Sequence, residues 1–132
     1  MNIVVMSSDK EILAQKFNSY VSFLSKMLYE KNRSSQFETI KTAVSSAIRN
    51  VPFSLIDNSE DFWNHRNYIT DIRDGDEYNW SLVDKIPIPR NADTSVVTMI
   101  KDIFNNSTQE ERIEVYEILI EMLVIVAKYR KL

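Results

Sequence analysis

The middle of the chain combines many carboxylates with large aromatic side chains. Between residues 57 and 84, eight carboxylates are accompanied by only two arginines, Arg66 and Arg73. Carboxylates at this density steer a basic protein toward a surface, and tryptophan and tyrosine side chains supply contacts that hold it there. The acidic residues are Asp57, Glu60, Asp61, Asp71, Asp74, Asp76, Glu77 and Asp84, and the aromatic residues are Phe62, Trp63, Tyr68, Tyr78 and Trp80.

The residues predicted to contact a basic protein partner come from this stretch. They are Asp71, Asp74, Asp76, Glu77, Tyr78, Trp80 and Trp63. A protein that acts in this way would be of the immunity, antitoxin or virus-encoded modulator type. A second interpretation stays open, in which the carboxylates cap helices or lie in a solvated loop and the aromatic rings fill the core.

Side chains that could hold a metal ion or catalyse a reaction are few. His65 is the only histidine, and Asp61 lies four residues earlier, within hydrogen-bonding reach on a helix. This pair lacks a third metal ligand nearby. The acidic run over residues 71–77 does not have the ligand spacing of a calcium loop. The sequence therefore predicts a non-catalytic protein, with no catalytic residue, no metal site and no cofactor.

Composition excludes several classes of site. The 132 residues include one glycine and no cysteine. Phosphate-binding loops and dinucleotide fingerprints need several glycines, and disulfides and thiolate metal sites need cysteine. A formal net charge of −3 argues against a nucleic-acid partner, which normally requires a basic face. We also predict a cytoplasmic protein, because the N-terminal residues lack the pattern of a signal peptide. We predict no membrane contact, because the C-terminal apolar block is about ten residues long and a bilayer span needs roughly twenty.

The C-terminal stretch has the strongest apolar character in the chain. Between residues 118 and 127 the only polar residue is Glu121. A helix that is apolar nearly all round must be enclosed by protein, so this segment is predicted to be the central helix of the domain or half of a subunit interface. The alternative function is therefore a homo-oligomeric structural or scaffolding subunit, with an interface at Ile118, Glu121, Met122 and Ile125. The other interpretation of Glu121 is an exposed position on one side of the helix, or a salt bridge to an arginine such as Arg49 or Arg112.

Apolar periodicity and capping residues predict an all-α fold, a single-domain helical bundle of about five helices over residues 1–132. Residues 3–6 are β-branched and apolar, which favours a short strand or an extended arm. A long extended connector with Pro87 and Pro89 is predicted before the last helical hairpin, and residues 77–90 are compatible with strand, helix or loop. The predicted helices cover about 9–31, 35–51, 59–73, from Asn91 or Asp93 to 104, and from Ser107 or Thr108 onward.

Overall fold

The computed structural model describes the backbone of residues 2–85 and 94–131, and the side chains of residues 9–85 and 95–131. The predicted all-α fold is confirmed. Within the described ranges the helices are α1 (Asn2–Lys31), α2 (Ser35–Asn50), α3 (Ser54–Asp57), α4 (Glu60–Asn64), α5 (Arg66–Asp71), a 3₁₀-helix (Trp80–Lys85), α6 (Thr94–Asn106) and α7 (Gln109–Lys131). Two short strands, β1 (Arg73–Asp74) and β2 (Glu77–Tyr78), form an antiparallel hairpin. Of the predicted connector over residues 77–90, residues 77–85 contain β2 and the 3₁₀-helix, whereas Pro87, Pro89 and the start predicted at Asn91 or Asp93 lie outside the described residues.

The first helix begins earlier than the sequence predicts. The backbone of α1 is helical from Asn2, so the predicted strand or arm at residues 3–6 is wrong, and Ser8 lies inside the helix instead of capping it. Propagating an existing helix is far easier than starting one. The lower helix propensity of β-branched residues, at most about 0.7 kcal/mol each, is too small to stop it in the absence of glycine or proline.

The other two long helices, α2 and α7, pack antiparallel to α1. The ammonium group of Lys10 lies 4.9 Å from the ring centroid of Tyr129, and Lys31 forms an ion pair with Glu111, so α7 runs opposite to α1. On its other side, α1 contacts α2. The Asn18 side-chain amide donates to the carbonyl of Pro52 at 2.8 Å and ties α1 to the turn after α2. The polar turn over residues 32–34 is short, which predicts that the helices it joins are neighbours, and α1 and α2 are in contact.

The segment predicted as a third helix over residues 59–73 is broken into short pieces. It consists of α4 and α5, preceded by α3. The break falls at His65, whose backbone N–H lies 3.2 Å from the carbonyls of both Asp61 and Phe62 and whose Nδ1–H also donates to the Asp61 carbonyl at 2.6 Å. The sequence predicts that Gly75 closes the third helix in a left-handed conformation. Its φ is positive, 63°, but it occupies the turn of the β-hairpin, where glycine is favoured at the first central position, and not the end of a helix.

The main core joins α1, α3 and α7. Its fully buried members are Ala14, Phe17, Ile56, Met122, Ile125 and Val126. The helix α7 is not enclosed on every side, because Glu114, Glu117 and Glu121 form an exposed stripe that continues to Val124, which is 43% exposed. These residues recur at three- and four-residue steps, so they share one face. No helix within residues 2–85 and 94–131 has the length and apolar character needed to cross a bilayer.

A capping box starts α7 as predicted. The Thr108 N–H donates to Glu111 Oε1 at 3.1 Å, and the Glu111 N–H donates to Thr108 Oγ1 at 3.2 Å. The hydrogen bond from Lys31 and the bonds from Thr108 lower the pKa of Glu111 to about 2. Its ordinary value is about 4.3. The ionised form is therefore favoured by folding, and this contribution to stability is present above pH 4.3 and lost as the pH falls toward 2.

Replacing Glu111 by glutamine tests this pH dependence. We expect Glu111→Gln to lower the free energy of unfolding at neutral pH, and the difference from the parent to shrink steadily between about pH 4.3 and pH 2. Urea unfolding followed by circular dichroism measures both proteins across this range. Glu114→Gln is the control, because Glu114 lies on the exposed face of the same helix without an ion pair among the described residues. A difference that stays constant down to pH 2 contradicts the prediction.

Candidate functional site

The predicted acidic residues project from the hairpin and from the end of the helix before it. Asp71 ends α5, Asp74 and Glu77 lie on the two strands, and Asp76 lies in the turn; we call these four residues the acidic surface. All four side chains are exposed, and none forms an ion pair with another described residue. Their charges are therefore available to a binding partner.

The register of the hairpin places two of these charges opposite each other. Asp74 pairs with Glu77 across the two strands, at positions whose Cβ atoms are typically about 4.5–5.5 Å apart. Like charges in this arrangement repel each other. The nearest arginine in the sequence, Arg73, is turned toward the Tyr78 ring, with its guanidinium carbon 5.8 Å from the centroid. A positive group brought from outside would relieve the repulsion.

Aromatic rings attach the hairpin to the rest of the fold. Tyr78 stacks on Trp80 at 4.7 Å with an interplanar angle of 3°, and Tyr116 meets Tyr78 edge-on at 5.4 Å. Trp80 also contacts Phe104 at 5.4 Å. These four rings, which we call the aromatic cluster, connect the hairpin and the 3₁₀-helix to α6 and α7. Burial raises the pKa of the Tyr116 phenol above its ordinary value.

Tyr78 and Trp80, which the sequence predicts to contact a partner, pack largely within this protein. Both side chains are half-buried, and their rings pack against this protein's own helices. Such rings position the carboxylates beside them. Their partial burial agrees in part with the second interpretation of the sequence, in which the aromatic rings fill the core.

Trp63 lies apart from the acidic surface. The guanidinium groups of Arg66 and Arg130 lie 4.6 Å and 5.5 Å from its ring, and the indole packs against the main core. Arg130 in turn pairs with Glu60 at 3.1 Å. Within the part of the chain that the structure describes, no ring contact or cation–π contact joins Trp63 to the hairpin.

The residues weighed for metal binding do not converge. His65 is half-buried and bonds the backbone carbonyl of Asp61, not the Asp61 carboxylate. Because a carbonyl can only accept a hydrogen bond, Nδ1 carries the proton. Among the residues described, no three His, Asp or Glu side chains come together as metal ligands.

The residues of the predicted oligomer interface fall in two environments. Met122 and Ile125 are 5% and 6% exposed and belong to the main core, so neither is on the surface of the single chain. Ile118 is half-buried against the same core. Glu121 is exposed, as the simpler interpretation of this residue expects. Homo-oligomer formation stays a prediction, and the only exposed member of the set is a carboxylate.

Sequence reasoning missed Tyr116 and Phe104, which hold the hairpin in place. Both lie at ordinary apolar positions of their helices, and Tyr116 is 38 residues from Tyr78, so no local spacing links the two rings. Comparison of the chain with protein-family models, with curated proteins and with solved structures finds no match.

Proposed function

We propose that this protein acts by binding another protein, and that its acidic surface receives a lysine- or arginine-rich segment of that partner. The observation that carries the proposal is the set of four exposed carboxylates, Asp71, Asp74, Asp76 and Glu77, without ion-pair partners among the described residues. Among the other described carboxylates, Glu60 and Glu111 are paired with basic side chains, whereas the exposed stripe of Glu114, Glu117 and Glu121 on α7 is also without ion pairs and serves below as the control.

The hairpin suits this role because it is held in one position before the partner arrives. A two-stranded hairpin by itself is marginally stable in water. Stacking of Tyr78 on Trp80 and the edge contact with Tyr116 attach this hairpin to the helices. A surface ordered in advance loses less conformational entropy on binding, so more of the contact energy appears as affinity.

Charge sets the kind of partner. A lysine or arginine placed between Asp74 and Glu77 would contact both carboxylates and offset their mutual repulsion. Asp76 and Asp71 extend the negative surface on either side and would speed the encounter. Because the screening length is about 8 Å at physiological ionic strength, the association rate should fall as salt is added.

Reversing the charge of the acidic surface tests the proposal. The variant Asp74→Lys, Asp76→Lys, Glu77→Lys is compared with the parent for binding to an immobilised lysine- and arginine-rich peptide, and for protein capture from the cells that make the protein. We expect the peptide Kd to rise about tenfold or more, since each exposed ion pair contributes up to about 1 kcal/mol. The captured proteins that depend on the surface should also be lost.

The control variant changes the same number of charges at a different place. Glu114→Lys, Glu117→Lys, Glu121→Lys alters the exposed stripe of α7, and both triple variants change the formal net charge from −3 to +3. We expect the control to weaken binding much less than the hairpin variant. Equal losses in the two variants would mean that the peptide responds only to net charge, and would overturn the proposal.

A further inference from the structure

An apolar cavity of about 230 Å³ lies beneath α6, between that helix, α1, α5, α7 and the 3₁₀-helix. The described side chains that line it are aliphatic or aromatic with one exception, Lys101. An engineered apolar cavity of about 150 Å³ in another protein is large enough to bind benzene. The present cavity therefore has room for a substituted ring or a short alkyl chain.

The packing of α6 differs from that of α7. None of the described side chains of α6 is fully buried, although Val97, Ile100 and Phe104 recur at helical spacing, whereas α7 has five fully buried residues. The apolar face of α6 thus borders the cavity instead of interlocking with α1 and α7. A smaller space of about 60 Å³ continues the gap between α6, α1 and α7.

Ile100 and Lys101 line the cavity and also reach the protein surface. The side chain of Ile100 is 37% exposed. Lys101 lines the cavity with its aliphatic stem, while its ammonium group donates to the carbonyl of Asp84 at 3.2 Å in an exposed hydrogen bond. An ammonium group has three donors, and Lys101 forms no ion pair among the described residues. A positive charge therefore lies at the edge of an apolar space.

We infer that this cavity binds a small monocarboxylate, whose ring or short alkyl chain fills the apolar space while its carboxylate pairs with Lys101. The division of the site into an apolar interior and one charged group at the edge is typical of small-molecule pockets. The inference is independent of the acidic surface, which carries charge of the opposite sign.

Fluorescence of Trp80 provides the measurement, because Trp80 lines the cavity. The full chain has two tryptophans, so Trp63→Phe leaves Trp80 as the only one. Titration with 3-phenylpropanoate should change its emission in a saturable way, with a Kd of about 1 mM or tighter. The absence of a saturable change would overturn the inference.

Two further substitutions in this background locate the probe. Val115→Phe places a ring in the cavity and should weaken binding at least about tenfold, whereas Val124→Phe, at an exposed position of the same helix, should leave the Kd within about twofold. A folded Val115→Phe protein that binds as the parent does would show that the probe lies elsewhere and overturn the inference.

Lys101→Met removes the charge without filling the cavity. It tests the inference even if the Val115→Phe protein does not fold. We expect this change to weaken the binding of 3-phenylpropanoate about tenfold, because the carboxylate loses its hydrogen bond to a charged group. The binding of the uncharged alcohol 3-phenylpropan-1-ol should be unaffected. Equal effects on the two probes, or no effect on either, would overturn the assignment of the carboxylate to Lys101.

Discussion

Truncating Phe17 to alanine is expected to lower the free energy of unfolding by about 3–5 kcal/mol. Phe17 is 4% exposed and lies in the main core between α1, α3 and α7. Its ring also meets that of Phe62 edge-on, at a centroid distance of 6.5 Å. The substitution removes this contact and leaves a cavity that the surrounding helices fill only in part. Urea unfolding followed by circular dichroism should show a lower midpoint with an unchanged slope.

Phe23 provides the matched control. It is the same residue type on the same helix, but its side chain is 44% exposed. We expect Phe23→Ala to change the free energy of unfolding by no more than about 0.5 kcal/mol. Comparable losses for the two substitutions would contradict the placement of α1, because they would mean that Phe17 and Phe23 are equally buried.

Replacing Trp80 by alanine is expected to cost about 3 kcal/mol, near the lower end for tryptophan because the side chain is only half-buried. The change removes the stack on Tyr78 and the edge contacts with Phe104 and Tyr116. The hairpin should then open more often. Amide hydrogen exchange would detect this at Asn79, whose N–H donates to the carbonyl of Ile72 at 2.6 Å.

Trp80→Phe keeps an aromatic ring but makes it smaller. It therefore distinguishes the effect of losing the ring from the effect of reducing its size. Phenylalanine keeps an aromatic face against Tyr78, so we expect it to cost less than about 1.5 kcal/mol and to leave hydrogen exchange at Asn79 close to that of the parent. If Trp80→Ala were as stable as the parent, the aromatic cluster would not be what attaches the hairpin, and the acidic surface would not be ordered in advance by it.

Much of the helical framework could be predicted because its signals are local. The capping box of Thr108 and Glu111 lies at the predicted place, and Pro52 follows the end of α2. The spacing of Ser35 and Glu38 predicts Ser35 as the N-cap of α2. The structure places the cap one residue earlier, since the Ser34 hydroxyl accepts the N–H of Phe37. Adjacent serines offer the same chemistry, and only the path of the turn distinguishes them.

The broken helix could not be predicted from periodicity. Phe62, Ile69 and Ile72 have spacing that a continuous helix would place on one side, and the short helices α4 and α5 still direct Ile69 and Ile72 into the interior. At the interruption the backbone N–H of His65 lies 3.2 Å from the carbonyls of both Asp61 and Phe62, and the His65 side chain also bonds the Asp61 carbonyl. Apolar spacing records which residues are buried, and it does not record whether the backbone between them is continuous.

The candidate site was predictable only in its charged part. Asp74, Asp76 and Glu77 can be identified from the sequence because exposed charge needs no tertiary partner. The role of Trp80 depends on Phe104 and Tyr116, which reach it only after α6 and α7 have packed. The cavity beside Lys101 is likewise a property of five helices together. Contacts between distant segments have no signature in local spacing.

The pairing of α1 with α7 has a consequence for synthesis on the ribosome. Phe17 is buried against the helix that carries Val126, more than one hundred residues later in the chain. At an elongation rate of about 5–20 residues per second, α1 must wait roughly 5–20 s for that helix to be made. During this interval the apolar face of α1 that packs on α7 in the folded protein lacks its partner, so the main core can be completed only when synthesis is almost finished.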